Sequence, residues 1–244
     1  MTLRGWARLG AIALWLGVCL PMWAITSRFG GGGPWVRRFL GGTGRILGMR
    51  VRTEGRPVAG PVLYVANHIT LLDILALGGI GPVRFIAKDE IAGWALVGSL
   101  ARVADTIFVS RERRGEARAQ ADLVAAALAG ARPVVLFGEG ATGDGTALMP
   151  FRAPLFVSAI EARVPVQPVA IDYGPQRVRH AWPDDVSFGR EAKRLLARAG
   201  TIPVVLRFLD PITAGSADRK ALAAAAQAAI GGALAEADRI TPQP

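Results

Sequence analysis

The chain of 244 residues has little cysteine, histidine and aromatic content, and these shortages exclude several kinds of site. Cys19 is the single cysteine, so an internal disulfide and a cysteine-based metal site are both excluded. The only histidines, His68 and His180, form no cluster with metal-ligand spacing, and no Walker-type phosphate loop occurs. We therefore expect neither a bound metal nor a resident cofactor. A disordered chain is excluded as well, because 51% of the residues are hydrophobic.

Acidic residues are also few, and the net charge of +10 is concentrated near the N-terminus. The first sixty residues hold one glutamate, Glu54, and nine arginines, which accounts for +8 of the total. These nine are Arg4, Arg8, Arg28, Arg37, Arg38, Arg45, Arg50, Arg52 and Arg56. A basic cluster beside an apolar run indicates contact with anionic lipid headgroups. Nucleic acid is not expected as a partner, because the basic residues are not interleaved with stacking aromatics.

The longest apolar run spans residues 9–27, nineteen consecutive residues without a charge. A helix of about this length can cross the hydrocarbon core of a bilayer, although Pro21 would kink it. A membrane anchor, a cleaved secretory signal and a core helix all fit the run. Six arginines follow it closely, and two precede it. This positive-inside bias favours an anchor in the cell inner membrane with the main domain on the cytoplasmic side.

A glycine-rich, basic segment follows the apolar run. Residues 30–33 are glycines, and residues 35–47 mix tryptophan, leucine and arginine. The second stretch fits either an amphipathic helix in the membrane interface, which its glycines would weaken, or a loosely packed linker. The pattern predicts two parts: a membrane anchor with a basic interfacial arm at residues 1–50, and a globular domain at residues 51–244.

Short apolar runs alternate with helical patterns throughout the globular part. Buried strands are predicted at residues 62–66, 83–87, 106–110, 134–137, 166–171 and 204–209. Helices are predicted at residues 71–77, 94–103, 112–128, 155–161 and about 217–237, the last with Ser216 as its N-cap. Alternation of this kind predicts an α/β fold, with a mixed, largely parallel sheet flanked by helices.

His68 and Asp73 are the candidate catalytic pair, and they lie between a predicted strand and a predicted helix. Ligand sites in open α/β sheets occur at such carboxyl ends of strands. On a regular helix, residues five apart diverge by about 140°. We therefore expect His68 to lie in the turn before the helix, where the Asp73 carboxylate can reach it.

The two residue types suit proton transfer from an alcohol. Histidine, with an ordinary pKa of about 6.5, can accept a hydroxyl proton near neutral pH. A carboxylate on the other ring nitrogen fixes the tautomer and stabilises the imidazolium. The nucleophile would then be a substrate hydroxyl. On this pair alone, a histidine and an aspartate that merely cap a helix remain the alternative. His180 has no partner at motif spacing and is expected at the surface or in a loop.

Four short blocks resemble the signatures of the glycerolipid acyltransferases, the family of the lysophosphatidic acid acyltransferases. Residues 67–73, NHITLLD, resemble the first signature, which is Asn-His, four residues and Asp. Residues 107–111, IFVSR, resemble the second, and residues 137–142, FGEGAT, the third, usually FPEGTR. Residues 164–169, VPVQPV, resemble the fourth, usually VPIVPV. The four blocks occur in order, and the resemblance covers residues 50–210.

The resemblance implies a role for each signature residue. His68 would be the base, supported by Asp73, and Arg111 would bind the acceptor's phosphate. Glu139 would orient the acceptor's hydroxyls, and the backbone of Gly140 would approach the ligand. The remaining substrate-binding candidates are Asn67, a possible oxyanion donor, and Thr142, which occupies the place of the family's usual arginine.

The third block departs from the family pattern at three positions: Gly138 replaces proline, Ala141 replaces threonine and Thr142 replaces arginine. That arginine faces the acceptor's phosphate in common members, so its loss weakens the case for a phosphate acceptor. Residues 143–145 and 149–152 are similar to the branch that acylates lyso-ornithine lipid, which carries no phosphate. Arg152 remains an alternative source of the missing charge.

The resemblance therefore implies an O-acyltransferase that uses acyl-CoA or acyl carrier protein as donor and a lyso-lipid as acceptor. The first expectation for the acceptor is 1-acyl-sn-glycerol-3-phosphate, and the alternative is lyso-ornithine lipid. A non-catalytic lipid-binding protein is the alternative from another class. Acyl chain length and oligomeric state do not follow from the sequence.

Overall fold

The computed structural model describes residues 1–110, 117–183, 186–215 and 218–240. Three features of the sequence-based prediction lie outside these described residues: Arg111, the start of the helix predicted at residues 112–128, and Ser216.

The chain begins with a long, exposed apolar helix, α1 (Leu3–Ser27). With 25 residues, the helix is long and apolar enough to cross a membrane, and it continues through Pro21 without a break. Only 6% of its most apolar stretch is buried inside the molecule. A core helix is thereby excluded, and an apolar surface of this length indicates membrane association.

The second helix, α2 (Gly33–Ile46), excludes the unstructured linker considered for residues 35–47. Its glycines lie where helices approach closely. A Cβ at Gly41 would lie 3.3 Å from the Cα of Gly79, which belongs to α3 (Leu72–Ile80). A Cβ at Gly42 would lie 2.1 Å from Nε1 of Trp15 in α1. The glycines that weaken helix propensity therefore allow α2 to pack between α1 and the globular domain.

The strands are β1 (Met49–Gly55), β2 (Leu63–Ala66), β3 (Arg84–Lys88), β4 (Ile107–Val109), β5 (Val134–Phe137), β6 (Val166–Asp172) and β7 (Ile202–Phe208). Within the described residues they form one sheet in the order β1-β7-β6-β2-β5-β3-β4. Neighbouring strands are parallel except β6 and β7. β2, β5 and β6 are buried along their whole length, as expected for central strands covered on both faces.

The remaining helices are α4 (Ala95–Val103), α5 (Ala117–Leu128), α6 (Val157–Ala162), α7 (Arg177–His180), α8 (Phe188–Ala197) and α9 (Arg219–Ile240). One apolar core joins α3 and part of α8 to the sheet, and a second core joins α5 and α9 to it. Helices thus cover the sheet on two sides, which confirms the predicted mixed α/β fold. The proposed domain boundary at residue 50 falls inside β1.

β1 and α8 were both absent from the sequence-based prediction, for different reasons. β1 is exposed at every residue after Met49, so it lacks the apolar run that marks a buried strand. It pairs in parallel with β7 along seven residues. α8 follows an arginine-rich stretch, and most of its residues are charged or partly exposed. Its narrow buried side is formed by Glu191 and Leu195. Its ten residues offer too few apolar positions for periodicity to stand out.

Helix α1 is attached to the globular domain through Arg8. Its guanidinium donates to the backbone oxygen of Arg198 at 2.6 Å and to those of Leu195 and Leu196 at 3.3 Å. These oxygens lie at the C-terminal end of α8, where carbonyl groups lack partners inside the helix and attract a cation. α1 is therefore fixed against the globular domain and forms one wall of the cavity described below.

Candidate active site

His68 and Asp73 are in direct contact at the carboxyl edge of the sheet. β2 ends at Ala66, α3 begins at Leu72, and His68 lies in the turn between them. Nδ1 of His68 lies 2.8 Å from Oδ2 of Asp73, close enough for the ring N–H to donate to the carboxylate. The structure thus shows the geometry that the sequence spacing predicts, with the imidazole outside the helix and the carboxylate reaching back to it.

The Asp73 carboxylate is fully buried and also organises the turn around it. Its Oδ2 accepts the backbone N–H groups of Ile69 at 2.8 Å and Thr70 at 3.0 Å. Its Oδ1 accepts the hydroxyl of Tyr173 at 2.6 Å. Asp73 therefore both caps the turn and holds the imidazole, so the capping alternative describes only part of its contacts. Tyr173 is a site residue that the sequence did not reveal.

The imidazole of His68 is fixed on its face as well as at its edge. It stacks on the ring of Phe137, the last residue of β5, with centroids 3.8 Å apart and an interplanar angle of 12°. Its side chain is 15% exposed. Because Nδ1–H donates to Asp73, the lone pair of the neutral ring is on Nε2. The ring is thus held in the tautomer that can accept a proton from a substrate.

Glu139 connects the third sequence block to the first. Its Oε1 accepts the backbone N–H of His68 at 2.7 Å, and its Oε2 accepts that of Met149 at 2.9 Å. Burial raises the pKa of Glu139 above its ordinary value, although the two backbone N–H groups act in the opposite direction. These contacts give Glu139 a positioning function at the base of the site. Orientation of an acceptor hydroxyl by Glu139 stays a prediction.

The Asn67 side chain is engaged with the backbone of β6. Its Nδ2 donates to the carbonyl oxygen of Ile171 at 3.0 Å, and its Oδ1 accepts the N–H of the same residue at 2.8 Å. Both polar atoms of the buried amide are therefore satisfied within the fold. The arrangement favours a function in fastening β2 to β6, and substrate binding by Asn67 stays a prediction.

The loop after β5 explains one of the departures from the family pattern. A Cβ at Gly138 would lie 2.5 Å from the ring of Phe151, so a proline does not fit there unless the ring moves. Gly140 has a φ of +78°, which favours glycine. Gly140 and Thr142 both line the large cavity beside His68. Arg111 lies outside the described residues, and Arg152 is exposed.

An apolar cavity of about 750 Å³ opens at His68. Its walls come from α1, α2, α3, the end of β3, α4 and α8, and most of the lining side chains are aliphatic or aromatic. Among the described residues, the fully charged side chains on the lining are Lys88 and Glu90. Volume and composition fall in the range of ligand pockets. An apolar ligand bound there would lie beside the imidazole.

The expected surface or loop position of His180 is wrong. The residue ends α7, and its side chain is fully buried, with its ring centroid 5.5 Å from that of Tyr173. Neither ring nitrogen has a hydrogen-bond partner among the described residues. Burial lowers the pKa of His180 to about 4, and nearby arginines act in the same direction. We conclude that His180 is a neutral core residue at neutral pH.

The depressed pKa of His180 predicts a loss of stability in acid. Between pH 6.5 and about 4, the unfolded chain binds a proton at His180 that the folded chain does not. The free energy of unfolding should therefore fall as the pH is lowered through this window, by on the order of 1–3 kcal/mol. Thermal unfolding at pH 7 and pH 4.5, followed by circular dichroism in detergent, measures the loss. Phenylalanine cannot be protonated, so the free energy of unfolding of His180→Phe should fall less than that of the wild type. Equal falls would contradict the assignment of the depressed pKa to His180.

A family model described as Acyltransferase matches residues 48–172, which include both the His68 turn and the Glu139 loop. The chain therefore belongs to the acyltransferase family.

The relatives of this chain include enzymes named for two different acceptors. The chain is 40% identical over 197 residues to a lyso-ornithine lipid O-acyltransferase of Brucella abortus, covering 73% of each chain. It is 37% identical over 136 residues to a 1-acyl-sn-glycerol-3-phosphate acyltransferase of Neisseria gonorrhoeae, covering 54% of this chain and 53% of the relative. The crystal structure of the 1-acyl-sn-glycerophosphate acyltransferase of Thermotoga maritima covers 96% of this chain and 93% of its own, with a TM-score of 0.70 and 21% identity, and shows the same fold.

Proposed function

We propose that this acyltransferase moves a fatty acyl group from a thioester to the free hydroxyl of a lyso-lipid, with His68 as general base. One observation carries the proposal: a buried carboxylate holds one ring nitrogen of His68, and the same ring borders an apolar cavity of about 750 Å³. Each methylene buried in such a cavity contributes about 0.8 kcal/mol to binding. A long acyl chain is therefore the ligand that this lining favours.

The proposed step needs no covalent enzyme intermediate. Nε2 of His68 accepts the hydroxyl proton of the acceptor as its oxygen attacks the thioester carbonyl. The C–S bond then breaks, and the leaving thiolate takes the proton from the imidazolium, so that His68 returns to its neutral form. The Asp73 carboxylate stabilises the imidazolium. Backbone N–H groups of the loop after β5 are our candidates for the oxyanion, because the Asn67 amide is engaged elsewhere.

The donor in this proposal is acyl-CoA or acyl carrier protein, and no metal or resident cofactor takes part. The catalytic domain lies on the cytoplasmic face of the cell inner membrane, where both donors occur. The arginines that follow the apolar run and the exposed apolar surface of α1 support this placement. Protease digestion of spheroplasts tests the side, since a periplasmic domain would be cut and a cytoplasmic one protected.

Lyso-ornithine lipid is the acceptor that we favour. Thr142 stands where the family's phosphate-facing arginine is usual, so the third block offers no cation at that position. Lys88 and Glu90 give the cavity lining one charge of each sign. A headgroup with a carboxylate and an ammonium matches such a pair better than a phosphate does. The name of the Brucella relative, with which the chain shares 40% identity, supports the same choice.

A second acceptor, 1-acyl-sn-glycerol-3-phosphate, is favoured by Arg111 in the second block and by the Neisseria relative. An arginine can bind a phosphate through two parallel hydrogen bonds. This acceptor would place its phosphate beside Arg111, and lyso-ornithine lipid would not need that contact.

A competition between the two acceptors tests the choice. The full chain in detergent, supplied with acyl-CoA or with acyl carrier protein, should show a kcat/KM at least about ten-fold higher with lyso-ornithine lipid. Thr142→Arg should raise kcat/KM for the phosphate acceptor, and Thr142→Gln serves as the neutral control of similar length. A wild-type preference for the phosphate acceptor would contradict the choice. No transfer with any pair of donor and acceptor would favour a non-catalytic lipid-binding protein instead.

A further inference from the structure

The two oxygens of the Asp73 carboxylate have different partners. Oδ2 accepts the imidazole N–H of His68 and the backbone N–H groups of Ile69 and Thr70. Oδ1 accepts the hydroxyl of Tyr173 at 2.6 Å, and no second donor to Oδ1 occurs in the described part of the chain. Asp73 is fully buried, so bulk solvent does not reach Oδ1. The charge on Oδ1 is thus stabilised by one phenol.

Tyr173 is built into the fold at this position. It follows β6 directly, and β6 is the neighbour of β2 in the sheet, which leads to His68. The Asn67 amide fastens the two strands at Ile171, two residues before Tyr173. The tyrosine side chain is 2% exposed. Burial raises the pKa of Tyr173 well above its ordinary value, and the charge of Asp73 raises it further. The phenol therefore remains a neutral hydrogen-bond donor throughout the working pH range.

We propose that Tyr173 is a positioning residue of the acyl transfer, which holds the Asp73 carboxylate in the orientation and charge state that His68 requires. The inference rests on the proposed reaction and adds a third member to its hydrogen-bonded chain. The order is phenol, carboxylate, imidazole and acceptor hydroxyl. Among the described residues, Tyr173 is not part of the lining of the cavity beside His68, and it acts on the base through Asp73.

The hydroxyl affects the proton affinity of the base in a defined direction. A phenol that donates to Oδ1 disperses the carboxylate charge, and its removal leaves more of that charge facing the imidazolium that forms during the reaction. This change moves the acid limb of the pH–kcat profile to higher pH. In the described part of the chain, the other titratable or charged groups near these side chains include Glu139, His180 with the arginines around it, the pair Asp172 and Arg207, and the pair Arg177 and Asp238. A change confined to the phenol oxygen leaves all of them in place.

The chain offers a matched control, because its second tyrosine is equally buried but does not contact Asp73. Tyr64 is 4% exposed, belongs to the same apolar core, and donates its hydroxyl to the carbonyl oxygen of Val58 at 2.8 Å. Tyr64→Phe therefore removes a buried hydroxyl at similar structural cost. Any effect that Tyr173→Phe shows and Tyr64→Phe lacks belongs to the contact with Asp73.

The test measures kcat, KM and the pH profile of both variants in detergent. Tyr173→Phe should lower kcat roughly ten-fold, leave KM within about two-fold, and move the acid limb up by about half a pH unit or more. Tyr64→Phe should keep the wild-type profile. Thermal unfolding midpoints of the two variants should be similar. A Tyr173→Phe enzyme with the wild-type kcat and acid limb would overturn the proposal.

A second measurement avoids the loss of the side chain altogether. In Tyr64→Phe, Tyr173 is the single tyrosine, so growth with 3-fluorotyrosine labels that residue alone. Fluorine makes the phenol a stronger donor, and the acid limb should then move to lower pH, opposite to Tyr173→Phe. A shift in the same direction as Tyr173→Phe, or no shift, would overturn the proposal. A wild type without turnover would instead refute the proposed function, which keeps the two failures distinct.

Discussion

Replacing His68 by alanine is expected to lower acyl transfer by at least about 10³-fold, because the reaction then lacks the group that accepts the hydroxyl proton. The imidazole is held at one edge by Asp73 and on one face by Phe137. No water can take its place with the same orientation and basicity. The loss should appear in kcat, with the KM of the acceptor changed little, because the ring itself contributes little to ground-state binding.

The fold should survive this substitution. The His68 side chain is partly exposed at the cavity, and the backbone N–H that Glu139 holds is present in alanine as well. Unfolding midpoints and binding of a non-hydrolysable thioester analogue are the controls for the variant. Turnover within about ten-fold of the wild type in a folded His68→Ala enzyme would show that another group is the base.

Replacing Asp73 by asparagine should lower kcat by about 10²–10⁴-fold, because the imidazolium would lose its charged partner. The amide has nearly the same shape, and its oxygen can still accept the N–H groups of Ile69 and Thr70. In that orientation the side chain keeps the turn and loses the negative charge, and it presents an amide N–H group to the Tyr173 hydroxyl in place of the oxygen that accepts it. Steady-state rates with saturating donor and acceptor measure the effect.

Asp105→Asn is the matched control for the loss of a carboxylate. Asp105 is exposed, pairs with Arg84 and Arg132 at the surface, and has a φ of +58°, which asparagine tolerates. Exposed ion pairs contribute little to stability. The control should keep the wild-type rate. If Asp73→Asn kept it too, the carboxylate would have no part in the reaction.

The catalytic pair could be predicted because all of its geometry is local. His68 and Asp73 are five residues apart, and the start of the following helix decides whether the side chains can meet. Helical geometry excluded contact within a helix and required a turn. The contact itself is confirmed, and the catalytic function of the pair stays a prediction until the variants are measured.

Tyr173 could not be predicted in the same way, because it is one hundred residues away from Asp73. The two are joined by the order of the strands, in which β6 lies beside β2, and no periodicity in the sequence encodes that order. The burial of His180 depends on the same tertiary packing. An arginine-rich stretch predicts a surface, and here the arginines surround a buried ring.

The functions of Asn67 and Glu139 show a second limit of sequence patterns. Both occur in the family signatures, and both use their side chains on the backbone of neighbouring segments in this structure. A signature indicates which residue type occupies a position, but it does not show whether that side chain contacts the substrate or the protein backbone. The glycines of α2 are a different case. Their low helix propensity argues against a helix in the sequence, whereas in the structure they allow α2 to pack closely against its neighbours.

The double variant His68→Ala, Asp73→Asn tests most directly whether the carboxylate acts through the imidazole. The measurement is the residual rate of acyl transfer in the wild type, the two single variants and the double variant. Asp73→Asn should lower the rate by less than about two-fold once His68 is absent. A loss in that background as large as in the wild type would mean that the two side chains act independently, and the proposed mechanism would be wrong.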